Sequence, residues 1–323
     1  MKIDAGFEGQ FSDIPDLAQR LEKNEAFHGV WVSDTTNDPF LLSCEFARQT
    51  ERLTVGTNIA VAFARSPYSL AQTAYNLSQL SQGRFILGLG TQVRAHIRKR
   101  FSMEWPDKPV KALKEYIRLL RHLFASFQTR ERPKFEGEYF QCTLNSPVFT
   151  PDHHEYPHPP IGMAAVGPSL TRAAGELAEV LFLHPFTHLK YIEKVSLPAL
   201  AEGKKKRSND LKKLSVVGST FCLATDSDDY PMKRQEVLGR LAFYASTPNY
   251  RKVVESLGME EDLHTQLHQL SRQGMWKEMA MALPPEFIDA CVVQGPKEQL
   301  LDLISQRFSH CYDRVVVDPT PFL

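Results

Sequence analysis

The chain has 323 residues, 42% apolar and 24% charged, the balance of an ordinary soluble globular protein. Length alone predicts about two domains, although α/β barrels commonly reach ~250 residues or more as one. Lysine plus arginine and aspartate plus glutamate number 38 each, so no net field draws the chain to nucleic acid or an anionic membrane. The amino terminus, Met1-Lys2-Ile3-Asp4-Ala5-Gly6-Phe7, lacks the plan of a signal peptide, and no run approaches the ~18 apolar residues of a membrane span. Five cysteines without a C-x-x-C pair read as reduced thiols of a cytoplasmic protein.

Short apolar runs alternate with helical periods along the whole chain. Residues 2–7 predict a strand, followed by a helix opening near Ser12-Asp13 with Pro15 in its first turn. Gly29-Val30-Trp31-Val32 is the next strand. Then come a helix over 40–49, a strand over 53–56, a helix over 67–80 introduced by Ser66-Pro67, and a compact strand over 83–89. The clearest helix covers 110–127, where Val110, Leu113, Ile117, Leu120 and Phe124 share one face. A strand over 161–165 and a helix over 169–177 follow, and 180–183 leads into a helix from Thr187. Residues 214–223 predict a seventh strand; either 290–293 or 314–317 supplies the eighth, with a helix over 296–308 between them.

About eight strand–helix units without a dividing linker predict an α/β fold, one (β/α)8 TIM barrel over residues 1–323, rather than an open sheet. Two stretches exceed a minimal barrel and read as insertions. One spans about 129–160, with a hairpin around Phe135-Glu136-Gly137-Glu138-Tyr139-Phe140; the other, mainly helical, spans about 230–285. Lys204-Lys205-Lys206-Arg207 reads as a solvated helix end.

Barrel enzymes place their chemistry where strands end. That rule selects Ser33-Asp34-Thr35, Thr57-Asn58-Ile59, the run from Thr91 to His96, Val166-Gly167-Pro168 and His184-Pro185-Phe186. At Val166-Gly167-Pro168-Ser169, glycine permits close backbone approach and proline suits a first helical turn. The free amides make either a phosphate site or a plain βα turn. Arg94, Arg98, Lys99 and Arg100 are the densest basic group beside the mouth, either an anion ligand or a solvated helix face. For proton transfer the candidates are Asp34, His96 and His184, because an imidazole with a pKa near ~6.5 suits that task. The alternatives are structural histidines and a helix-capping aspartate. His153, His154 and His158 with Asp152 and Glu155 lack compact zinc spacing, and no metal is expected.

Gly83-Arg84-Phe85-Ile86-Leu87-Gly88-Leu89-Gly90 resembles the fourth-strand signature of the bacterial luciferase-like superfamily. Arg65-Ser66-Pro67 and Ala173-Ala174-Gly175-Glu176-Leu177-Ala178-Glu179 resemble its other motifs in matching order. Gly90-Thr91-Gln92-Val93-Arg94-Ala95-His96 and Ala242-Phe243-Tyr244-Ala245-Ser246-Thr247-Pro248 look most like its deazaflavin (coenzyme F-420)-dependent branch. The resemblance implies a tricyclic ring in the barrel mouth, supported by a non-prolyl cis peptide at or near Thr57–Asn58. It implies cofactor contacts from Thr57, Asn58, Thr91, Gln92, Arg94, Val166, Gly167 and Pro168, with acid–base work by His96, Asp34 or His184. It also implies a homodimer acting on a small molecule. The sugar-phosphate dehydrogenases of the superfamily carry histidine and glutamate where this chain has Thr35 and Val93, so their reaction is not expected. FMN in the same fold, as a reductase or monooxygenase, and a non-catalytic flavin-binding protein are the alternatives.

Overall fold

In the computed structural model, which describes residues 1–258 and 262–323, eight parallel strands close on themselves. They are β1 (Lys2–Phe7), β2 (Phe27–Val32), β3 (Thr54–Thr57), β4 (Phe85–Gly90), β5 (Ile161–Ala165), β6 (Val180–Leu183), β7 (Ser215–Ser219) and β8 (Arg314–Val317). Each pairs with its neighbours in sequence, and β8 returns to β1 with Lys2 opposite Arg314. The predicted closed barrel is thus the architecture. Residues 259–261, within the second predicted insertion, lie outside the described residues.

Period-two alternation sorts the strand side chains into two apolar sets. Val30, Val32, Leu87, Leu89, Leu181, Leu183, Val315 and Val317 join the core shared with the helices. Trp31, Phe182, Val217 and Val316 form a separate cluster inside the ring. Trp31 and Phe182 meet edge-on at 5.0 Å and leave no room for side chains opposite. A Cβ on Gly56 would stand 2.6 Å from Trp31, and one on Gly162 would stand 2.3 Å from Phe182. Asp4, fully buried, accepts from Trp31 Nε1 at 2.8 Å and from Arg314 Nε and Nη2 at 2.6 Å each. One buried ion pair therefore ties the first, second and last strands together, and burial is tolerable because every charge is met.

The seventh predicted strand, 214–223, is in fact two. Ser215–Ser219 stays in the barrel; after Thr220 the chain leaves it, and Phe221–Ala224 pairs in parallel with Val292–Gly295 outside. Arg314–Val317 is consequently the eighth barrel strand, and the rival candidate over 290–293 belongs to this small second sheet. Apolar, β-branched content reports burial on a pleated surface and does not say which sheet buries it.

The first predicted insertion carries the expected hairpin, Phe135–Glu136 antiparallel to Gln141–Cys142. In the second, the helices Tyr230–Ser246, Arg251–Glu255, Asp262–Arg272, Trp276–Met281 and Pro285–Cys291 contribute to a second apolar core. That core also takes in Phe186 and Tyr191 from the segment after β6. His188 fastens the join: its Nδ1 accepts from the Tyr191 amide at 3.3 Å, leaving Nε2–H to donate to the Val253 carbonyl at 3.0 Å. The helices thus cap one side of the barrel mouth. Lys204, Lys205 and Lys206 are exposed as predicted, but Arg207 is drawn inward to donate to the Ala178 carbonyl at 2.5 Å.

Candidate active site at the barrel mouth

A cavity of about 1170 Å³ opens at the carboxyl ends of the strands. Its wall includes Glu8 and Gly9 after β1, Ser33 and Asp34 after β2, Asn58 and Ile59 after β3, and Thr91, Gln92 and Val93 after β4. Val166 and Gly167 after β5, His184 after β6, Thr220 after β7 and Asp318 after β8 complete the circuit. Such a volume exceeds the ~300–1,000 Å³ typical of a single small-ligand pocket.

The floor is built around β3 and β4. Thr57, fully buried, bridges the strands: its hydroxyl donates to the Gly88 carbonyl at 2.7 Å and accepts from the Gly88 amide at 2.9 Å. A Cβ at Gly88 would lie 1.9 Å from the Thr57 carbonyl oxygen, so only glycine permits this approach. The chain then jogs. The Asn58 amide donates to Val32 O at 2.8 Å, and the Asn58 carbonyl accepts from Ser33 Oγ at 3.2 Å. Pairing with β4 resumes at Ala60–Val61. The jog carries Ile59 over Gly90, where a Cβ would meet its Cδ1 at 2.7 Å. The cis peptide is Asn58–Ile59, one bond later than predicted.

The predicted site residues separate into those the mouth brings together and those it does not. Thr91, Gln92, Asn58, Val166, Gly167, Asp34 and His184 line the cavity, with Gln92 in the left-handed region at φ 58°. Thr57 lies beneath the floor, and Pro168 opens the helix Pro168–Leu177 behind Gly167. Arg94 and His96 are exposed on the short helix Arg94–Lys99 and do not line the cavity. That helix turns about its one buried residue, Ile97, and carries the basic group toward solvent.

Asp34 is committed to structure. Its Oδ2 accepts from the Val61 amide at 3.0 Å and pairs with Arg65 Nη1 at 2.6 Å, its side chain 7% exposed. The guanidinium also lies over the Phe40 ring at 5.1 Å and reaches Asp38 at 3.3 Å. Asp34 therefore clamps the jog beyond β3 in place.

His184 is different. Its Nδ1 accepts from the Phe186 amide at 3.1 Å, which requires an unprotonated Nδ1 and puts the proton on Nε2. Burial pushes its pKa down to about 4, so the ring is neutral at neutral pH. Tyr244 packs against it edge-on at 4.6 Å and Tyr250 at 4.9 Å, both brought by the capping helices. Ile59, selected as a strand-end residue without a role, lines the cavity, and so do Tyr244 and Tyr250, which are not among the predicted site residues. The motif around Tyr244 was visible, but nothing local joins it to a strand end sixty residues earlier.

Closed (β/α)8 geometry with the site at its carboxyl mouth defines the class as a TIM-barrel protein. The chain belongs to the luciferase-like monooxygenase family, whose model matches residues 4–313, a family of flavin- and deazaflavin-dependent oxidoreductases. An uncharacterized protein of Mycobacterium tuberculosis is 38% identical over 318 residues, 98% of this chain and 92% of the relative. The 5,10-methylenetetrahydromethanopterin reductase of Archaeoglobus fulgidus is 22% identical over 293 residues, 89% of this chain and 83% of that one. Among solved structures, the coenzyme F420-dependent tetrahydromethanopterin reductase of Methanopyrus kandleri superposes with a TM-score of 0.76 at 19% identity, covering 99% of this chain and 94% of that one. No helix among the described residues is long and apolar enough to cross a membrane.

Proposed function

We propose that the protein is an oxidoreductase that uses coenzyme F-420 for hydride transfer with a small organic substrate. The observation that carries this reading is the apolar ledge of Ile59 over Gly90, lining one large cavity together with an open backbone at Gly167. A Cβ on Gly167 would meet nothing within 4 Å, so packing does not demand glycine there, whereas close approach of a ligand to the backbone would. The residues present fit the group: Ile59 would support the ring's face, Thr91 and Gln92 its polar edge, and the amides at the start of the helix Pro168–Leu177 an anionic part. When bound, the deazaflavin supplies a two-electron hydride carrier. The chain's own part is to orient the ring, exclude water with the capping helices and present neutral His184 to the reacting partner.

F-420 appears in the names of relatives such as the glucose-6-phosphate dehydrogenase of Amycolatopsis mediterranei, 28% identical over 204 residues, 59% of each chain. That likeness favours F-420 over FMN as the cofactor. The test is a titration of purified protein with F-420 and with FMN, followed by ring fluorescence. Saturable F-420 binding and its reduction or oxidation by an added substrate are expected; binding of FMN alone overturns the cofactor assignment.

A further inference from the structure

The wall beneath the capping helices gathers hydrogen-bond donors that the protein itself does not use. His184 spends Nδ1 on the Phe186 amide and is left with Nε2–H, which has no protein partner among the described residues and borders the open cavity. Tyr244 and Tyr250 stand against the same imidazole, their rings 5.6 Å apart, and neither hydroxyl has a protein partner among the described residues. All three residues line the cavity. The wall they share is mixed, with Phe221, Leu223 and Val237 as its apolar part and Thr247 and Asn249 among its polar residues. The wall carries no net positive charge: Arg20, Lys233, Arg240 and Lys297 stand with Glu8, Asp34, Asp229, Glu236 and Asp318, and Arg240 pairs with Glu8 at 3.5 Å and Glu236 at 3.2 Å.

Donors without acceptors call for an oxygen lone pair. The absence of surplus positive charge disfavours a carboxylate or phosphate, and the apolar part of the wall favours hydrocarbon on either side of the oxygen. We propose that His184 Nε2–H and the hydroxyls of Tyr244 and Tyr250 form a three-donor site for the oxygen of a small uncharged carbonyl compound. The proposal rests on the oxidoreductase reading for its purpose, since a carbonyl carbon held there is a hydride acceptor. As a binding site it can be tested apart from that reading.

The probe is acetophenone, with ethylbenzene as the near-isostere lacking the oxygen, each titrated into the full chain without cofactor. Acetophenone binds more tightly than ethylbenzene, and its carbonyl stretch moves to lower wavenumber on binding. Tyr244→Phe and Tyr250→Phe each weaken acetophenone by about three- to tenfold and partly reverse the infrared shift, while leaving ethylbenzene affinity unchanged. Acetophenone that fails to bind, binds no better than ethylbenzene, or keeps its free carbonyl stretch overturns the site. That comparison uses the unmodified protein and so does not depend on how the variants fold. Failure of F-420 to bind, with the acetophenone result intact, would sink the cofactor reading and leave this site standing.

Discussion

His184 illustrates how one side chain's surroundings set its chemistry. Burial lowers its pKa from 6.5 to about 4, so between those values the unfolded chain binds the proton and the folded chain does not. Stability is then complete above about pH 6.5 and falls as pH drops toward about 4, by roughly 3 kcal/mol from this residue. Burial also lowers His188 and His154, adding to the slope with the same sign. Urea unfolding measured across that window checks it, and His184→Gln should flatten the profile without abolishing the slope. Gly167→Ala offers a complementary test at the neighbouring strand end. With nothing within 4 Å of the new methyl, folding stability should change by less than about 1 kcal/mol. F-420 affinity should drop at least about tenfold, as read by fluorescence titration, if a ligand lies against that backbone. Asp34, by contrast, was legible as a strand-end carboxylate but not as a clamp, because its partner Arg65 stands 31 residues further on.

At the level of elements, β4 shows what periodicity reveals and what it conceals. Its apolar run is readable as a buried strand, yet the reason for each glycine appears only when β3 lies beside it. Gly88→Ala should cost several kcal/mol or prevent soluble expression, because the methyl would fall 1.9 Å from the Thr57 carbonyl oxygen. Gly239→Ala, in the helix Tyr230–Ser246 with open space at that point, should stabilise by about 0.5–1 kcal/mol. Thermal melts of the two variants should therefore move in opposite directions. The helix over 110–127 was predicted nearly whole, observed as Pro109–Thr129, since ten buried residues on one side of 21 repeat a single stripe. The break after β7 is hidden in the sequence because Thr220 alone separates it from Phe221–Ala224, too short a gap to read as a loop.

For the molecule as a whole, closure depends on the last strand reaching the first. Arg314→Ala would strand Asp4 as a buried, unpaired carboxylate and should cost about 3–5 kcal/mol, seen as a lowered denaturant midpoint. The eight-fold alternation of strand and helix made the barrel legible, whereas the pairing of the mouth's donors depends on where a long excursion folds back. That excursion departs along Phe221–Ala224 and returns along Val292–Gly295, two strands locked in register, with the Thr225 amide donating to the Gly295 carbonyl at 3.0 Å. Exit and re-entry therefore share one neck. Once a neck is pinned, each doubling of the chain between costs only ~0.6 kcal/mol of closure entropy. The segment above it is consequently exchangeable wherever a replacement keeps its packing on Phe186 and Tyr191 and its contact with His188. A different helical cap spliced between 225 and 292 would bring a new pocket wall to the same mouth without disturbing a single rung of the barrel.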